Sequence, residues 1–111
     1  MPTEVVPKVH PENDVAQLPP ALQKPYHVVL WNDDDHSYNY VIEMLGRLFG
    51  HDVATAFRMA KEVDTTGRCN VFTGTLEQAE FKRDQIHGYG ADPAIPRCKG
   101  SMSATIEASR T

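Results

Sequence analysis

The chain has 111 residues, 41% hydrophobic and 23% charged, the size and mix of one globular domain rather than two. Lys and Arg number 11 against 15 Asp and Glu, a formal net charge of −4, which argues against a nucleic-acid binder and disfavours an anionic membrane surface as partner. No apolar run nears the ~20 residues of a membrane span, and two cysteines without CxxC spacing fit a reduced, cytoplasmic chain better than a disulfide scaffold.

Six of the eight prolines fall in residues 1–25, among Thr, Glu, Lys, His, Asn and Gln. Such a stretch buries too little apolar surface to offset its ordering entropy, so 1–24 is expected to be a disordered extension and not a secretory signal. The domain is expected over 25–108, with 109–111 a loose tail. Tyr26-His27-Val28-Val29-Leu30-Trp31 is β-branched and aromatic and predicts a strand. Ser37 is a good N-cap for a helix with apolar Val41, Met44, Leu45 and Leu48, and Gly50 suits its left-handed end. Asp52 caps a second helix, whose Val53, Ala56, Phe57, Ala60 and Val63 fall on one face, and Gly67 stops it. Arg68 to Thr73 reads as a second strand. Thr75-Leu76-Glu77-Gln78 has capping-box spacing and opens a third helix that runs to about Gly88. After a loop from Gly90 to Gly100, Met102, Ala104 and Ile106 alternate as a last strand. The β-α-α-β-α-β order predicts an α+β fold, a small three-stranded, mainly antiparallel sheet packed against three helices.

The most unusual segment is Asn32-Asp33-Asp34-Asp35-His36. Asn and Asp bond their own backbone, so polar runs between a strand and a helix are ordinarily turn chemistry. A calcium loop from Asn32 through Asp34 to Glu43 fails, because position 6 is Ser37 where the sharp turn needs glycine. The five histidines form no HExxH pair, which leaves zinc without support. Cys69 has no marked histidine partner and reads as a strand cysteine. No cofactor motif or nucleophile elbow appears, so the pattern favours a binding module over an enzyme.

From Pro25 to Asp34 the sequence resembles the opening of the ClpS family, with its VxLxNDD element. Tyr40-Val41, Asp52-Val53, Gly67, Ala79-Glu80-Phe81-Lys82 and Thr105-Ile106-Glu107 continue the likeness. It extends over about 80 residues, without a gap from Tyr26 to Tyr89; the loop 92–100 is longer than usual in the family. These proteins are adaptors that deliver substrates with destabilising N-terminal residues to a Clp-type AAA+ unfoldase. The resemblance implies that Asn32 and Asp33 bind the substrate's α-amino group, and an ammonium with three donors does call for converging acceptors and a carboxylate. The third amine ligand of the family, a histidine, is replaced by Asp64. The resemblance also implies a hydrophobic pocket walled by Leu30, His36, Tyr38, Val41, Ala60, Val63 and Met102, in which Tyr38 and Ala60 stand where the family carries methionines. Charged residues on the third helix, Glu77, Glu80 and Lys82, match the unfoldase-docking surface.

The resemblance therefore implies a monomeric, cytoplasmic, non-enzymatic adaptor without cofactor or metal. It would bind bulky hydrophobic N-degrons and present them to a ClpA/ClpC-type unfoldase. The alternative is a docking module that keeps the unfoldase surface but has lost or altered N-terminal residue recognition, and Asp64 is the departure that raises it.

Overall fold

The computed structural model describes residues 24–110. All but Lys24 of the expected extension, and Thr111, lie outside the described residues. Three strands and three helices follow in the expected order: β1 (Tyr26–Trp31), α1 (Tyr38–Phe49), α2 (Val53–Thr66), β2 (Arg68–Gly74), α3 (Leu76–His87) and β3 (Ala104–Ala108).

The strand most hydrophobic in sequence takes the centre of the sheet. β1 lies between β2 and β3 and pairs antiparallel with both, placing Leu30 opposite Cys69 on one side and Ala104 on the other. A bulge between Val28 and Val29 steps the β2 register past Val71, so β2 twists more strongly there. Val28 and Leu30 turn one way into the core. Their neighbours Val29 and Trp31 turn to the opposite face, where the Trp31 indole donates to Thr105 Oγ1 at 2.8 Å.

Local chemistry sets the helix ends. Ser37 and Asp52 accept the backbone N–H of Tyr40 and Thr55, and Thr75 with Gln78 forms the reciprocal capping box. Gly50 and Gly67 close α1 and α2 at φ 75° and 95°, a region costly for any residue with a Cβ. The core joins Val28, Leu30, Cys69, Val71 and Ala104 of the sheet to Tyr40, Val41, Met44 and Leu45 of α1, Ala56, Ala60 and Val63 of α2, and Ala79 and Ile86 of α3. Burial pushes the Cys69 thiol up to about 12, helped by Glu62, so it is an inert core group.

Three expectations change. Val53 and Phe57 were expected on the buried face of α2 but are 71% and 47% exposed. The buried line is Ala56, Ala60 and Val63; Phe57 sits about 100° around the helix from Ala56, and Val53 occupies the open first turn. β3 starts at Ala104 rather than Met102, although Met102 is buried just before it and Trp31 N–H still reaches the Ser103 carbonyl. Ser109, assigned to the tail, is 9% exposed and donates its N–H to the Pro25 carbonyl, so the ladder outlasts the strand.

Candidate functional site

The turn 32–37 leaves β1 where α2 ends. Asn32 N–H donates to the Gly67 carbonyl at 2.9 Å, which ties the turn to the foot of α2 and brings Asn32 towards Asp64 in that helix's last turn. Asp33 Oδ1 accepts the Asp35 N–H at 2.9 Å, a local Asx bond, and lies 2.7 Å from His36 Nδ1. His36 Nε2 lies 2.8 Å from the Gly100 carbonyl, and its side chain is almost wholly buried. Both ring nitrogens therefore face acceptors, and the ring acts as a strut between Asp33 and the loop 92–100.

That loop holds the turn at three further points. Asp92, 3% exposed, accepts the Ser37 N–H at 2.7 Å and the Ala94 N–H at 2.9 Å. Burial pushes its carboxyl up, but these backbone bonds, with Ser37's side chain and the charge of His36, outweigh burial and hold it below the ordinary carboxylate value. Arg97 reaches Asp35 Oδ1 at 2.7 Å and the Asp34 carbonyl at 2.6 Å. Cys98 Sγ accepts the Asp92 N–H and lies 3.3 Å from His36 Nε2.

Between the turn, α1, α2 and Met102 opens a cavity of about 210 Å³. Nine of the ten residues expected there line it: Asn32, Asp33, His36, Tyr38, Val41, Ala60, Val63, Asp64 and Met102. Leu30 does not; it is wholly buried beneath, because its side chain points into the core between Cys69 and Ala104. Asp34 and Ser37 line the cavity without having been singled out for it. Asp33, Asp34 and Asp64 gather at the polar side, while Val41, Ala60, Val63 and Met102 supply apolar wall. Asp35 is neutralised by Arg97, and Asp33 keeps its Oδ2 clear of protein hydrogen bonds among the described residues.

Tyr38 and Asp64 meet. The Tyr38 hydroxyl donates to Asp64 Oδ2 at 2.8 Å, and that bond, with slight burial and the carboxylate charge, raises the phenol above its ordinary value. The Tyr38 ring lies 5.7 Å from that of Phe57.

The helix-three residues stand apart from this cavity. Glu77 and Glu80 are exposed, and Phe81 beside them is 60% exposed. Lys82 Nζ donates to the Leu48 carbonyl and lies 5.4 Å from the centre of the Phe49 ring, so it also caps the end of α1.

Sequence reasoning missed Asp92, Arg97 and Cys98 as supports of the turn. Asp92-Pro93 was readable as a turn signal; nothing local tells which backbone N–H its carboxylate meets 55 residues away.

Such an arrangement supplies hydrogen-bond acceptors and negative charge next to apolar wall, and the Cys98 thiol is not among the lining residues. No group of three or more His, Cys, Asp or Glu side chains suited to a metal is found among the described residues. No helix among them is long and apolar enough to cross a membrane.

Residues 21–94 match the family of the ATP-dependent Clp protease adaptor protein ClpS. The chain is 34% identical over 91 residues to the ATP-dependent Clp protease adapter protein ClpS of Vibrio cholerae serotype O1, covering 79% of this chain and 86% of that protein. It is 28% identical over 85 residues to the ClpS of Rhodococcus jostii, covering 76% of each. The structure of Agrobacterium tumefaciens ClpS2 bound to L-phenylalaninamide superposes with a TM-score of 0.67 at 24% identity, over 78% of this chain and 98% of that one. Sequence, element order and fold thus agree, and the chain belongs to the ClpS family, whose members are adaptors of the ATP-dependent Clp protease and not enzymes.

Proposed function

We propose that this protein binds the free N-terminal residue of protein substrates, with a bulky hydrophobic first side chain, and delivers them to a ClpA/ClpC-type AAA+ unfoldase. One observation carries the reading: Asn32, Asp33 and Asp64 line the same cavity as the apolar wall of Val41, Ala60, Val63 and Met102. An α-ammonium offers three donors and a positive charge to the first group, and the side chain on the same carbon enters the second. Burial of one Leu or Phe side chain contributes roughly 1.5–3 kcal/mol. The phenylalaninamide held by the Agrobacterium relative carries both features, a free amine and an aromatic side chain. Glu77, Glu80 and Lys82 on α3 form the unfoldase contact, away from the cavity, so substrate and unfoldase bind together. The adaptor works as a cytoplasmic monomer.

The test compares a Phe-led peptide with its N-acetylated form. Acetylation removes the cation and strands the acceptors, which is expected to cost about 2 kcal/mol, or ~30-fold in Kd. Equal affinity for the two forms sinks this reading and favours a docking module without amine recognition. The Tyr38 hydroxyl on Asp64 is the observation that favours that second reading, because it engages one oxygen of a proposed amine ligand.

A further inference from the structure

We propose that Asp64, besides its charge, is a positioning residue that latches the Tyr38 ring beside the cavity, and that this latch tunes how the pocket ranks first residues of different width. The proposal rests on the amine-binding reading above and goes beyond it by joining three separate sequence departures into one unit.

The geometry begins on α2. Phe57 and Asp64 are seven residues apart, two turns or roughly 10 Å along one side of the helix. Tyr38, at the start of α1, touches both: its ring lies 5.7 Å from the Phe57 ring, and its hydroxyl donates to Asp64 Oδ2 at 2.8 Å. The tyrosine therefore runs lengthwise beside α2, bridging the two helices along one side of the cavity. The α2 residue between its two anchors, three positions after Phe57 and four before Asp64, is Ala60, which is 4% exposed and lines the cavity. A long side chain at 60 projects into the space the tyrosine occupies or into the cavity itself. A single methyl leaves room for both.

Wall position then depends on two anchors of different kinds. The ring contact fixes the near end whatever the hydroxyl does. The hydrogen bond fixes the far end, beside the amine-binding residues. Both of its partners are accessible to water, so it is a modest latch rather than a rigid strut. Latched, the ring lies against the first side chain of a ligand and gives good packing to compact residues. Released, the far end swings out; compact residues lose contact, and the widest ones gain space.

The experiment measures Kd for leucinamide, phenylalaninamide and tryptophanamide with the full chain, and takes the Trp-to-Leu ratio as readout. Tyr38→Phe keeps the ring against Phe57 and removes only the latch. It is expected to move the ratio three- to tenfold towards Trp. Asp64→Ala moves it equally, and the double variant moves it no further than either alone. Asp64→Asn keeps an oxygen acceptor for the hydroxyl, so it restores the parent ratio even though overall affinity falls with the lost charge. A purely structural role for Asp64 does not produce that rescue. Thermal melting of each variant confirms that it is folded. A ratio indifferent to Tyr38→Phe, or shifts that add in the double variant, overturns this proposal and leaves amine binding standing. A parent protein that binds none of the three amides overturns both.

Discussion

Ala60→Met tests the cavity most directly. Ala60 lines a space of about 210 Å³ and is 4% exposed, so a longer side chain cannot turn to solvent without repacking. Methionine adds three heavy atoms, ~70 Å³ at ordinary packing density, on the order of a third of the cavity. Overfilling a packed site costs about 1–3 kcal/mol, which is ~5- to ~150-fold in Kd for a ligand that needs the whole space. A smaller side chain needs less of it, and leucinamide is expected to lose no more than about threefold, while tryptophanamide loses most and phenylalaninamide an intermediate amount. Calorimetric titration of the three amides against parent and variant reads the order, and a thermal melt shows whether the fold survives. Methionine is flexible, so the penalty falls at the lower end if it bends away towards Phe57. Equal loss for all three ligands refutes the argument, because Ala60 then does not border the space that the side chain enters. No loss for any ligand places the binding site elsewhere.

Asp64→Asn is expected to weaken binding of free-amine peptides and to flatten its salt dependence, since one Coulomb interaction is gone; titration at two ionic strengths reads both. Binding is also expected to fall as pH rises through the ligand's own amine, roughly 7.7–8.0 for a model α-amine, and an N-acetyl control does not show that fall. Leu30→Ala is expected to cost about 2–5 kcal/mol of stability in denaturant melts while leaving the ranking of first residues unchanged, because Leu30 is core and not wall. Asp92 binds its proton less readily when folded than when unfolded, so it stabilises the fold fully above the ordinary carboxylate range and loses that contribution as pH falls through its depressed value. Asp92→Ala is accordingly expected to lower stability at neutral pH and to remove part of the acid-side decline; an unchanged acid limb in the variant's melts contradicts this.

Much of the fold was readable because local signals and burial agree. Ser37, Asp52 and the Thr75/Gln78 pair cap the helices they were expected to cap, and Gly50 and Gly67 close two of them. Periodicity misled in α2, where Phe57 falls within the apolar stripe but turns to Tyr38 at its edge. Window patterns do not resolve a 100° step between Ala56 and Phe57. The loop 92–100 was opaque for another reason. Its work is done by single long-range bonds, Asp92 to Ser37, Gly100 to His36 and Arg97 to Asp35, and such pairs leave no periodic trace. The likeness to the ClpS family named nine lining residues, yet it treated Tyr38, Ala60 and Asp64 as three independent departures. Their connection is spatial: a hydroxyl from α1 reaches a carboxylate on α2, and Ala60, one turn before that carboxylate, lines the same cavity.

The distribution of charge around the cavity follows the same logic. Five aspartates lie in or around it, Asp33, Asp34 and Asp64 as lining and Asp35 and Asp92 beside the turn, and like charges gathered about one cavity disfavour one another. Arg97 answers Asp35 and His36 answers one oxygen of Asp33. Asp92 is already engaged by two backbone N–H groups and sits behind the turn. The charge left facing the cavity is thus that of Asp33 Oδ2, Asp34 and Asp64, with Tyr38 shielding one oxygen of the last. On the proposed reading, an arriving α-ammonium would relieve this repulsion as it binds. The supports around the turn keep Asp33 oriented before the ligand comes, so less ordering is left to be done on binding. Arg97→Ala frees Asp35 without touching any lining side chain, so it adds negative charge at the rim while loosening the turn. The first effect speeds association with cationic ligands at low salt, and the second raises dissociation at every salt concentration. Stopped-flow rates separate the two, and a variant with the parent's dissociation rate shows that Arg97 is not what holds the turn.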